Sequence, residues 1–262
     1  MRRRDCLAGF LAFAAAPAVA LAQRERPPPI AAAADLQAAM PEVLAAFRRQ
    51  TGLDVRVTYG SSGNFAQQIL RGAPFQMFLS ADESFVERVV DGGRALDGGR
   101  LYAIGRIGLF QPRGSPVAAD PGLRDLAAAV GDGRLQRFSI ANPEHAPYGR
   151  AAREALLKAG IWASIQPRLV FGENAAQATQ FAMSGSAQGG IIPLALALTD
   201  HVRNAGSFAL LDVSWHAPLR QRMVLLRGAG ATARAFFAYM ESPPARTVLR
   251  RYGFLLPGER ME

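Results

Sequence analysis

Four short polar segments of this chain combine residue types that could hold an anion. They are Asp35 after an apolar run, Gly60-Ser61-Ser62-Gly63-Asn64, the loop from Asn142 that ends in Tyr148-Gly149, and Asn174-Ala175. Each follows a stretch that reads as a buried strand and opens one that reads as a helix. Helix starts expose N–H groups that lack intrahelical acceptors and carry a partial positive charge, so they suit negative groups. In α/β sheets, ligands settle outside the carboxyl ends of strands, where such loops lie. Taken singly, each segment also has the form of an ordinary helix cap, because Ser, Asp and Asn are preferred there. Only convergence of the four in space makes a site, and spacing along the chain does not reveal it.

Other chemistries find little support. There is no nucleophile elbow, no phosphate loop with Gly-Lys-Ser/Thr and no His-Glu-x-x-His, so catalysis is not expected. His145, His201 and His216 are far apart without metal-ligand spacing, so neither a cation site nor a cofactor is expected. The formal net charge is +9, carried by scattered arginines with Lys158 as the only lysine. No basic stripe is interleaved with aromatics, which argues against a nucleic-acid partner. Diffuse positive charge would instead speed the arrival of an anionic solute.

The elements that must position these segments alternate along the chain. Residues 1–22 are expected to be a signal peptide. Arg2, Arg3 and Arg4 precede an apolar stretch from Leu7 to Ala20, and Ala20-Leu21-Ala22 is a small-x-small cleavage site. Arg3-Arg4-Asp5-Cys6-Leu7 also resembles a twin-arginine signal. Cys6, the only cysteine, leaves with it, and export to the periplasm as a monomer is expected. Ile30 to Ala34 then reads as a strand. Leu36, Met40, Val43, Leu44 and Phe47 share one helical face, with Asp35 as the expected N-cap and Gly52 as the stop. Strand and helix continue to alternate through Val55 to Tyr59, Phe65 and Ile69, Phe75 to Leu79, and Val86 to Val90. Leu101 to Phe110 reads as one long strand. The same style resumes to the helical tail from Phe236 to Tyr252. Such alternation predicts a mostly parallel α/β sheet.

At this point ordered motifs add a resemblance. Ala31-Ala32-Ala33-Ala34-Asp35-Leu36, Gly60 to Ile69 with Gly72-Ala73-Pro74-Phe75, Asn142 to Gly149, and Tyr252-Gly253-Phe254 resemble the periplasmic molybdate-binding family of ABC importers. The resemblance covers about Ile30 to Leu256. It implies a type II periplasmic-binding-protein fold, with mixed sheets flanked by helices and a ligand cleft between two lobes. Lobe 1 would hold 29–108 plus 219–262, and lobe 2 would hold 109–218. It also implies capture of molybdate or tungstate by neutral donors, without cofactor, and delivery to the permease subunits. Carried over by position, Ser62 supplies a hydroxyl and an N–H, while Asp35, Tyr148 and Ala175 supply N–H groups.

Three positions depart from that pattern. Asp35 stands where many relatives have a serine. Pro193 stands where many have a tyrosine donor, and it donates nothing. Gln76 stands where an acidic residue is commoner. A carboxylate facing a dianion would repel it, so Asp35 is expected to cap its own helix and offer only backbone. Another anion, such as sulfate, phosphate or a small organic acid, is the alternative ligand.

Overall fold

The computed structural model of the chain describes residues 26–259; the segment read as a signal peptide, with Cys6, lies outside the described residues. Ten strands lie among those described: β1 (Pro29–Ala33), β2 (Arg56–Gly60), β3 (Met77–Ser80), β4 (Arg100–Gly105), β5 (Ile107–Pro112), β6 (Phe138–Ala141), β7 (Leu169–Gly172), β8 (Gly190–Pro193), β9 (Gly206–Leu210) and β10 (Leu219–Leu225). The helices between them are α1 (Met40–Thr51), α2 (Ser62–Leu70), α3 (Glu83–Asp91), α4 (Arg124–Gly131), α5 (Pro147–Lys158), α6 (Trp162–Ile165), α7 (Ala175–Met183), α8 (Leu194–Ala197), α9 (Asp200–Ala205), α10 (Ala231–Met240) and α11 (Pro243–Arg251). None is long and apolar enough to cross a membrane.

The strands form two five-stranded sheets, ordered β2-β1-β3-β10-β4 and β7-β6-β8-β5-β9. The two orders follow one plan. The second strand of each order, β1 or β6, runs parallel to both neighbours. Each sheet also takes one antiparallel strand, β10 or β5, and that strand is the one entered when the chain arrives from the other sheet. Strand order therefore reverses beside β1 and beside β6, which is where α/β sheets leave a crevice for a ligand.

The run from Leu101 to Phe110 is two strands in different sheets, not one. Only Arg106 separates β4 from β5. Its guanidinium donates twice to the Gly253 carbonyl, at 3.3 Å each, and its carbonyl accepts from the Leu194 N–H at 2.9 Å. A continuous apolar run shows burial but carries no sign of which sheet accepts each half. The return passes through Pro218 into β10.

Burial follows the expected periodicities. On α1, Met40, Val43 and Phe47 are buried, and Phe47 meets Phe236 of α10 edge-on at 5.1 Å between ring centroids. Gly52 ends the helix at φ 71°, in the left-handed region that favours glycine, and its N–H bonds Arg48 O at 2.9 Å. Strands β1, β3, β6 and β8 are buried along nearly their whole length, as strands covered on both faces must be. A rigid frame on both sides thus holds the carboxyl ends of β1, β2, β3, β6 and β7, from which the polar segments emerge.

Candidate functional site

Each polar segment is the continuation of one of those strands. After β1 the chain turns through a 3₁₀ segment, Ala34–Gln37. After β2, Ser61 is extended and Ser62 is the first residue of α2. After β6, the loop ends in Pro147 at the first position of α5. Proline has no N–H, so the first donor that helix can offer is Tyr148. After β7, Asn174 caps α7 by accepting from the N–H groups of Ala176 and Gln177, at 3.0 and 3.1 Å. The N–H of Ala175, the first residue of α7, stays outside that cap.

Asp35, Ser62, Tyr148 and Ala175 come together around one cavity of about 10 Å³, which Ser61 and Pro147 also line. A space of that size holds about one water-sized sphere. All four residues are buried. Ser62, Tyr148 and Ala175 lie in first helical turns, whose N–H groups have no intrahelical acceptor. Ser62 Oγ accepts from the Ala81 N–H at 3.0 Å. That bond uses the lone-pair side of the hydroxyl and leaves its hydrogen for donation into the cavity.

Asp35 corrects the sequence expectation. It is not an N-cap: α1 begins five residues later behind Ala39, with no side-chain cap, and Ala33 precedes the 3₁₀ segment, again without one. The carboxyl instead enters a buried network. Oδ2 accepts from Tyr148 Oη at 2.9 Å and from Gln221 Nε2 at 2.6 Å. Gln221 Nε2 also donates to Tyr148 Oη at 3.1 Å, and Gln221 Oε1 accepts from Tyr102 Oη at 2.7 Å. Oδ1 is buried without a hydrogen-bond partner. The N–H groups of Asp35 and Leu36 lie close enough to stabilise the charged carboxyl, but neither reaches Oδ1 in hydrogen-bond geometry.

Burial pushes the Asp35 carboxyl up to about 6, against the opposing pull of the bonds from Gln221 and Tyr148. The same burial, together with the Asp35 charge, holds the Tyr102 and Tyr148 hydroxyls well above the ordinary tyrosine value, so both remain neutral donors. No ion pair found among the described residues includes Asp35. Close to the polar segments Arg150 pairs with Asp82, and His145 Nε2 lies 3.8 Å from Glu173 Oε2. Neutral donors surround the cavity, and one uncompensated carboxyl joins them.

Contacts between these segments join the two sheets. Ser61 Oγ donates to the His145 carbonyl and lies 2.9 Å from His145 Nδ1, while the Gly63 N–H donates to the same carbonyl at 2.9 Å. Asn64 Nδ2 donates to Glu173. Gly63 is required for this approach, because a Cβ there would stand 2.6 Å from the His145 oxygen.

Sequence reasoning missed Gln221, Tyr102 and the Ser61–His145 contact. For Gln221 a signal existed. In β10, Leu219, Gln221 and Met223 face inward while Arg220 is exposed, and a lone glutamine among inward apolar residues calls for a buried partner. The strand pairing with β4 shifts register between Gln221 and Arg222, directly after that residue. The departures at Pro193 and Gln76 lie elsewhere: Pro193 closes β8 opposite Ile107, and Gln76 Oε1 accepts from the Gly230 N–H at 2.9 Å.

Over residues 29–255 the chain matches the family described as bacterial extracellular solute-binding protein. It belongs to that family. Among its relatives, the molybdate-binding protein ModA of Rhodobacter capsulatus is 34% identical over 228 residues, covering 86% of each chain. ModA of Azotobacter vinelandii is 34% identical over 229 residues, covering 86% of this chain and 88% of its own. The solved structure of the Azotobacter vinelandii periplasmic molybdate-binding protein superimposes with a TM-score of 0.78 at 28% identity, covering 88% of this chain and 99% of that one. The family member described here accordingly has the two-lobed, type II binding-protein fold, with two mixed sheets flanked by helices. Its relatives are binding proteins rather than enzymes.

Proposed function

We propose that the protein captures molybdate or tungstate in the periplasm and delivers it to the permease of an ABC importer. One observation carries the reading: Asp35, Ser62, Tyr148 and Ala175 line a single cavity of about 10 Å³. The N–H groups of these residues and the Ser62 hydroxyl serve as the oxyanion donors. A tetrahedral oxyanion offers acceptors in four directions, which suits donors arriving from four segments. The names of the relatives point to molybdate.

In this reading the segments before Arg106 and after Pro218 move as one lobe and those between them as the other, which moves the first expected boundary from Gly108 to Arg106 because Ile107 and Gly108 belong to β5; the chain works as a monomer without cofactor. Residues 1–22 direct export, through either the general or the twin-arginine route. Calorimetric titration with molybdate, tungstate, sulfate and phosphate tests the ligand. Tight binding of the first two and weak binding of the others is expected. Preference for sulfate or phosphate would overturn the assignment to molybdate and leave an oxyanion site.

A further inference from the structure

The donors around the cavity account for a tetrahedral oxyanion, but Asp35 Oδ1 is left over. It is buried, unpaired, and part of a residue that lines the cavity. A dianion set beside a charged carboxylate meets repulsion in a medium of low polarity. Among the described residues no ion pair includes Asp35: Arg150 of α5 is paired with Asp82, and His145 meets Ser61. From α5 the facing titratable group is Tyr148, and from β4 it is Tyr102, both neutral; β10 contributes uncharged Gln221. The α2 start contributes Ser61 and Ser62, and the α7 start contributes Asn174 and Ala175, none of them charged.

The pattern of bonds says where a proton belongs. Oδ2 already accepts from two donors, Tyr148 and Gln221. A neutral carboxyl group would therefore carry its hydrogen on Oδ1, the oxygen with no partner. From there it is placed to donate to an oxyanion that has only acceptors to offer. We propose that this site binds its oxyanion together with one proton, held between Asp35 Oδ1 and a ligand oxygen. The proton comes from solvent, and no other bond forms or breaks. A shared proton of this kind disfavours the weakly basic sulfate; it does not by itself separate molybdate from phosphate. Burial of Asp35 keeps its carboxyl near the protonation range of neutral solution, which makes uptake measurable there.

The proposal rests on the oxyanion reading, and calorimetry separates the two. Molybdate is titrated into the full mature chain at about pH 6, 7 and 8, in buffers of different ionisation enthalpy. Near one proton should be taken up per ion above the carboxyl pKa, with affinity falling about tenfold per pH unit between the two higher values. Asp35→Asn keeps acceptor and donor of the same shape but cannot titrate, so its affinity should be flat over that range without proton uptake. Binding by the native chain with pH-independent affinity and no uptake overturns the proposal and leaves the oxyanion reading intact. Undiminished uptake by Asp35→Asn overturns it too, since the proton would then reside elsewhere. Failure of molybdate, tungstate, sulfate and phosphate to bind at any pH overturns the oxyanion reading itself, and this inference with it.

Discussion

Replacing Ser62 with alanine separates two roles that one hydroxyl performs. Its oxygen accepts from the Ala81 N–H at 3.0 Å, and both residues are buried. Its hydrogen is free to donate to a ligand. Ser62→Ala removes a hydrogen bond to a charged group, so affinity should fall by about 1.5–3 kcal/mol, roughly 10- to 150-fold. The same change strands the Ala81 N–H in the interior, which costs about 1–3 kcal/mol of stability whether or not ligand is present. For a chain of this size that lowers the melting temperature by roughly 2–4 °C per kcal/mol. Titration calorimetry with molybdate and chemical denaturation of the ligand-free protein read the two effects independently. An affinity loss without loss of stability would mean that the Ala81 bond is not made. A loss of stability with unchanged affinity would show a purely structural serine, and the donor set around the cavity would then be wrong.

Three further outcomes follow from the same geometry. Gly63→Ala places a Cβ 2.6 Å from the His145 carbonyl oxygen; it should weaken binding by about tenfold or more while leaving ligand-free unfolding unchanged, and wild-type affinity would show that the two halves need not approach this closely. The Asp35 carboxyl, raised from 3.8 to about 6, binds more protons folded than unfolded. It should add about 3 kcal/mol of stability below about pH 4 that disappears as pH rises through about 6; subtracting the Asp35→Asn profile isolates this slope, and a flat difference refutes it. Molybdate at a hundredfold excess over its dissociation constant should stabilise the fold by about 2.7 kcal/mol, seen as a rise of roughly 5–10 °C in melting temperature; a melting point indifferent to every tetrahedral oxyanion points to another solute class.

Much of the frame was legible because burial leaves periodic traces. The inward face of α1 and the glycine stop at Gly52 are visible as spacing alone. So is the Asn174 cap, whose residue type and position before a helical run announce it. Three of the four polar segments, at Ser62, Tyr148 and Ala175, were legible as helix starts, and the resemblance implied that all four meet. The change of sheet at Arg106 was hidden, because the apolar run on either side is continuous. Asp35 was misread for a definite reason. Its position before an apolar helical face is that of a cap, but a 3₁₀ segment intervenes and turns the carboxyl toward residues 113 and 186 positions away in the chain. Local propensity describes the first turn of a helix, and it says nothing of a tyrosine and a glutamine that arrive from other elements to claim the same side chain.

Those two partners also tie the cavity to closure. Asp35 follows β1 of the first sheet and Gln221 belongs to β10 of the same sheet, whereas Tyr148 sits on α5 beside the second. Separation of the halves would remove Tyr148 and admit water to the carboxyl. The desolvation that raises the Asp35 pKa therefore belongs to the closed arrangement, and deprotonation favours opening by the free energy of that shift. On the proposed reading, an oxyanion bound together with a proton on Oδ1 removes the buried charge and takes N–H donors from both halves at once. Proton, oxyanion and closure then reinforce one another, since each stabilises the state that binds the other two better. In the opposite direction, opening rehydrates the carboxyl, the proton leaves, and the recharged Asp35 helps to expel the anion. On the proposed reading, a cavity of neutral donors holds the oxyanion, and the one carboxyl among them favours release once the halves part.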